Sequence, residues 1–316
     1  MFCKDYNLRN PDFEKLGYVV ATANLNDKHD RSAPTDYHWK ILKCRMIIFS
    51  NSSILACPDK QDVKRVHIIF NKLSDDYDKL NSLFTKFCLM QNGSIQKTTP
   101  DIFKMCFEYT MTAKIAPNWN TLGTNYLINN RNFLTCNKPQ DGLEYHILCN
   151  ESVTTLKLKP IKIIFLRSRD EFIPGEWIRV LPSLNRATIE DRCQRLPEYG
   201  HFKSYKDLRR HWKNIHGYRL PEEECQSYYM VRFWRGDPLT YPKICILGEF
   251  PIITPVPKHT ENVVLSNFIQ CLKHNFSAVL GQRMIIESSM PEVSLGFPDT
   301  QEVSLCTPTL NIRKNL

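Results

Sequence analysis

HFKSYKDLRRHWKNIHGYRLP, residues 201–221, carries its own helix start and stop. Ser204 is a suitable N-cap, and Asp207 three residues later stands where the acid of a capping box belongs. Gly217 offers the left-handed backbone that ends a helix, with Pro221 just beyond. On a helix over 204–216, Tyr205, Leu208, Trp212 and Ile215 share one apolar face. Lys206, Arg210 and Lys213 fall in a narrow arc on the opposite side, with Arg209 at its flank. Cations at this spacing can line up with phosphates, so Lys206, Arg209, Arg210 and Lys213 are the candidate nucleic-acid contacts. The bland reading of the same run is a solvated helix face.

The same stretch contains Phe202-x5-Leu208-x2-His211-x4-His216, the spacing of the second half of a Cys2His2 zinc finger. The first half is missing: the positions of its two thiolates hold Arg195 and Glu198. Nearby thiols leave a rearranged set of Cys193, His211, His216 and Cys225, whose spacing fits no standard zinc module. The sequence therefore assigns no cofactor, and these four residues are weak metal candidates.

Working outward, the N-terminal half mixes strands and helices. YVVATANL from Tyr18 reads as a strand. A helix from Thr35 would align Tyr37, Ile41, Cys44 and Ile48, and a strand follows over Val63–Phe70. Tyr77, Leu80, Leu83, Phe84, Phe87 and Cys88 stripe a further helix. Asp75, Asp76 and Asp78 crowd its first turn, where the helix dipole favours negative charge without any metal. Thr99 and Pro100 open a third helix, which Pro117 stops. The asparagine-rich stretch after Pro117 reads as a loop, with Trp119 and Phe133 anchoring a satellite core.

From Tyr145 the period shifts toward two. EYHILC, TTLKLK and IKIIFLR read as consecutive strands, EWIRVL as another, and SYYMVRFWR with YPKICIL as a hairpin turned at Gly236–Pro238. Val263–Phe276 reads as the last helix. The expected fold is α+β, with an N-terminal lobe of mixed strands and helices over residues 1–140. A strand-rich lobe over 141–286 follows, carrying packed helices near 204–216 and 263–276. Residues 287–316, where EVSL occurs twice among Ser, Thr and Pro, read as a disordered tail.

Composition narrows the function classes. The 316 residues carry 42 basic against 33 acidic side chains, a formal charge of +9, which suits a polyanionic partner. The polar N-terminus lacks the apolar core of a signal peptide, and no apolar run reaches membrane-span length, so the expected setting is intracellular, nucleus or cytoplasm, with no membrane partner. The 12 cysteines, with no C-x-x-C pair, then read as thiols. Phosphate-loop, nucleophile-elbow, zincin and dinucleotide signatures are absent, which makes an enzyme with a divergent site the minority reading.

IAPNWN at Ile115–Asn120, Gly123, RNFL at Arg131–Leu134, FKSYKDLRRHW at Phe202–Trp212, GYRLP at Gly217–Pro221 and TYP at Thr240–Pro242 together resemble one family. It is the uncharacterised animal family named after chromosome 18 open reading frame 63, a domain of unknown function, over roughly residues 15–285. The resemblance implies no activity, cofactor or catalytic residue. The expected function is a non-enzymatic binding or scaffold protein whose partner is nucleic acid or a nuclear protein complex. The alternative is a protein–protein adaptor without nucleic-acid contact.

Overall fold

The computed structural model describes residues 4–24, 36–166, 171–197, 202–224 and 227–288. Among the described residues, five α-helices, α1 (Asp36–Ser50), α2 (Asp76–Lys86), α3 (Pro100–Ile115), α4 (Tyr205–His211) and α5 (Lys258–Asn275), pack against antiparallel sheets, as an α+β reading requires. Among the described residues, no helix is long and apolar enough to cross a membrane.

A four-stranded sheet is ordered Leu55–Pro58, Arg65–Asn71, Leu16–Ala23, Leu89–Lys97. The strand expected from Tyr18 thus begins two residues earlier, and Leu25 lies outside the described residues. One face of this sheet meets α1 and α2 through Val19, Ile68, Phe70, Cys44, Ile47 and Leu80. The other face meets α3 through Ile69, Leu55, Phe103 and Phe107. Ile41, Cys44 and Ile48 of α1 are buried as their spacing predicts, and the Tyr37 side chain lies outside the described residues. Thr99 caps α3 by accepting from the Ile102 N–H.

Seven strands form the second sheet: Ile286–Ser288, Lys4–Arg9, Val153–Ile164, Gln140–Cys149, Tyr126–Asn129 and Trp119–Leu122 in order, with Ile252–Pro255 also on Val153–Ile164. Strands from both sides of residue 140 share it. Two expectations are corrected here. The asparagine-rich stretch is not a loop: Trp119–Leu122 and Tyr126–Asn129 pair as a hairpin. Its asparagines were read as turn formers, but the hairpin is buried on both faces, with Trp119 and Leu127 in one core and Leu122 and Ile128 in another, and that burial holds it extended. TTLKLK and IKIIFLR are not separate strands either, because Val153–Ile164 runs straight through Pro160. On one edge of that strand, Leu158 pairs with Lys4 and Ile161 pairs with Pro255. Pro160 falls at the seam between these partners, where a missing N–H costs little.

The third sheet is ordered Leu239–Pro242, Tyr228–Arg232, Asn185–Cys193, Trp177–Val180, Ile246–Leu247. The expected hairpin is real over Tyr228–Arg232 and Leu239–Pro242, but the rest of YPKICIL turns away to pair with Trp177–Val180. Asn185–Cys193, rich in charge, becomes a central strand with Ala187 and Ile189 as its buried residues. This sheet and α4 enclose the core that includes Leu208, Trp212, Tyr218 and Tyr229. At the C-terminal end, Glu287 and Ser288 pair with Asn7 and Tyr6, so two residues assigned to the tail are sheet. The remainder, 289–316, lies outside the described residues.

Candidate nucleic-acid interface and a histidine cluster

The helix legible in residues 204–216 forms, but in two geometries. Ser204 sits in extended backbone, accepts from the Asp207 N–H at 3.2 Å and donates its hydroxyl to Asp207 Oδ2 at 2.9 Å. Seven α-helical residues follow, and then Trp212–His216 continue as a π turn. Gly217, at φ +75°, ends it by donating to the Lys213 carbonyl at 3.1 Å. Leu208, Trp212 and Ile215 are buried, and Trp212 meets Tyr241 edge-on at 5.5 Å. Tyr205 closes the loop by donating to the Pro221 carbonyl at 3.0 Å. Packing on both sides of the helix therefore fixes which face looks outward.

That outward face is the basic one. Lys206, Arg210 and Lys213 are exposed and Arg209 is partly so. All four line a single open groove of about 670 Å³. Arg219, beyond the helix end, joins them there, and Asn132 and Thr135 line the same groove. Glu222 is the acid among the lining residues. Its contact with Arg209 is long, 3.7 Å, and 94% of its side chain is exposed; the Arg210–Asp207 pair is also 3.7 Å. Exposed pairs of this kind contribute about 0–1 kcal/mol, so an incoming anion displaces them easily.

A second groove, of about 440 Å³, lies between α1 and the π turn and shares Lys213, Asn214 and Arg219 with the first. Leu42, Met46, Phe49 and Pro117 supply its apolar lining, and Arg45 adds another cation. Phe49 is 59% exposed, with the Arg45 guanidinium 5.3 Å from its ring centroid. Sequence reading named four of these basic residues and missed Arg45, Arg219 and Phe49. Arg219 was within reach, six residues beyond Lys213 in GYRLP. Nothing local joins α1 to the helix.

The histidines gather too, although not as expected. His211 and His216 stand with His38 of α1, and one ring nitrogen from each lies within 4.8 Å of the others. In an α-helix, side chains five residues apart point about 140° away from each other. A π turn, closed by i→i+5 bonds, brings such a pair back to nearly the same face. Phe202, Trp212 and Tyr241 line the small cavity, about 20 Å³, at these rings. Burial lowers the His216 pKa well below the ordinary histidine value, helped by His211, His38 and Arg45 nearby, so its imidazole is neutral at pH 7. Among the described residues the cluster comprises His38, His211 and His216, and Cys193 is not a member of it. Cys225 lies outside the described residues.

Among solved structures, the chain is similar to the Argonaute of Marinitoga piezophila in complex with 5' OH guide RNA and target DNA. The TM-score is 0.36 at 9% identity, over 87% of this chain and 35% of that one. It is also similar to the A. aeolicus Argonaute, with a TM-score of 0.29 at 10% identity, over 90% of this chain and 43% of that one. The chain thus spans less than half the length of either protein, and scores this low transfer neither fold nor activity. Residues 6–168 and 162–254 match the family described as Domain of unknown function (DUF4708), so the chain belongs to that family.

Proposed function

We propose that this protein is a non-enzymatic binding protein, working in the nucleus or cytoplasm, that holds single-stranded nucleic acid along the two grooves flanking the π turn. The observation that carries the reading is the convergence of Lys206, Arg209, Arg210, Lys213 and Arg219 on one groove whose exposed ion pairs are weak. Phosphates gain from such a row by Coulomb attraction and counterion release. The adjoining Phe49 ring offers a base a surface to stack on, and single strands are commonly held by this pairing of cations and aromatics. Duplex DNA cannot present a base face to Phe49 without unstacking, which favours the single strand. The sequence blocks that resemble the family named after chromosome 18 open reading frame 63 all fall inside the matched spans, and we read the chain as a member of that group.

The test is oligonucleotide binding as a function of salt. Five phosphate contacts to a single strand give a slope of log K against log salt of about −3 to −4. Combined charge reversal by Lys206→Glu, Arg210→Glu and Lys213→Glu should flatten that slope by about two and abolish binding at physiological salt. Affinity and slope unchanged by the triple variant would sink the proposal, and no binding by the unmodified chain would favour the protein–protein adaptor.

A further inference from the structure

We propose that His38, His211 and His216 form a binding site for a divalent transition metal of the zinc class, with three imidazole nitrogens and one water completing a tetrahedral shell between α1 and α4. The reasoning begins with backbone. A π turn is rare, and single π turns inside α-helices occur frequently at functional sites. Here it runs over Trp212–His216 and places His216 beside His211, which regular α-helix would not do. A third ring then arrives from a different part of the fold: His38 of α1 meets His211 with centroids 4.7 Å apart and His216 at 6.1 Å.

Size and chemistry agree with one small occupant. Three nitrogens around a zinc-class ion sit about 3.4 Å from one another, from Zn–N bonds of about 2.0–2.1 Å. The observed separations, within 4.8 Å, need closure of up to about 1.4 Å, within reach of small ring rotations. The cavity of about 20 Å³ has room for one water-sized group, the fourth ligand of an open three-histidine site. Among the described residues the cluster offers three imidazole nitrogens, a donor type that favours zinc, copper or nickel over magnesium or calcium, which prefer oxygen. Metal binding takes the neutral form of each imidazole. This inference does not rest on the nucleic-acid reading, because the ligand nitrogens belong to other side chains than the basic groove.

The experiment uses the full chain, stripped with a chelator and titrated with zinc against a chromophoric competitor, with metal analysis of the product. One zinc per chain is expected. His38→Ala, His211→Ala and His216→Ala should each weaken binding by at least about 100-fold, whereas Cys193→Ser should leave it unchanged. Because an alanine at His216 could disturb packing, cobalt(II) is added to the unmodified chain as a second measurement, where a tetrahedral site gives intense visible absorption. Folded protein with a metal ratio near zero, a cobalt spectrum of the hydrated ion, or loss of binding in Cys193→Ser would each overturn the assignment.

Discussion

His38 of α1 and His211 of α4 meet edge to face, their planes 80° apart and their ring centroids 4.7 Å apart. The contact joins two helices that belong to different hydrophobic cores, one around Val19 and Ile68 and the other around Leu208 and Tyr229. The π turn, the basic groove and the apolar groove all surround this junction, so changes to its backbone should be felt at each of them.

Gly217 is the backbone position on which the junction turns. Its φ of +75° suits glycine, and a Cβ there would lie 2.8 Å from the Ala116 Cβ. Gly217→Ala should therefore destabilise the protein by about 2 kcal/mol or more, combining left-handed strain with a contact that must open. Urea denaturation measures it, and an effect below a few tenths of a kcal/mol would show that the turn relaxes freely.

Phe49 separates charge from stacking. Phe49→Ala removes an exposed ring and leaves the cations in place, so the salt slope should stay the same. Affinity for a single-stranded oligonucleotide should fall by about 1–3 kcal/mol, the usual worth of one base stacked on an aromatic. Fluorescence anisotropy with single-stranded and duplex probes reads both quantities; equal losses for the two probes would argue against stacking.

Thr110 ties α3 to the four-stranded sheet. Fully buried, its Oγ1 accepts from the Ala56 N–H at 3.0 Å and donates to the Ala56 carbonyl at 3.1 Å. Thr110→Val keeps the shape and strips both bonds, leaving two backbone groups of Ala56 without this partner. The expected cost is about 2–4 kcal/mol, seen as a lower urea midpoint with an unchanged m-value.

Asp59 gives the stability a dependence on acid pH. His67 lies between it and Tyr18, with Nε2 2.9 Å from Asp59 Oδ2 and Nδ1 2.7 Å from the Tyr18 hydroxyl. Burial alone would raise the Asp59 pKa, but the N–H groups of Asp62 and Gln61, together with His67, outweigh it and hold the carboxyl below its ordinary value. A folded pKa below the unfolded value of about 3.9 contributes stability that is present above that value and lost as pH falls through the folded pKa. Asp59→Asn should thus cost about 1–2 kcal/mol at pH 7, with the difference from the unmodified protein shrinking below about pH 4. A difference that stays constant from pH 7 to pH 3 would contradict it.

Much of the local structure was legible because neighbouring residues cause it. The caps at Ser204, Thr99 and Gly217 act within a few residues, and the apolar stripe of Leu208, Trp212 and Ile215 needs only one periodicity. Reading failed where a distant partner overruled a local tendency. The asparagines around Trp119–Asn129 favour turns, yet sheet pairing and core burial hold a hairpin. The charged strand Asn185–Cys193 carries few apolar residues and is defined by its two neighbours.

The candidate site divides in the same way. Lys206, Arg209, Arg210 and Lys213 were visible as one face of one helix, since a helical wheel is a local property. Arg45, Phe49 and His38 come from α1, and their place beside that face follows from how α1 packs. Residues 204–217 alone encode the helix, its caps and the sign of its exposed face, because those depend on steric and electrostatic interactions within a turn or two. The third histidine, the π geometry beneath it and the two grooves are products of long-range packing, because these arise where separate hydrophobic cores close against each other.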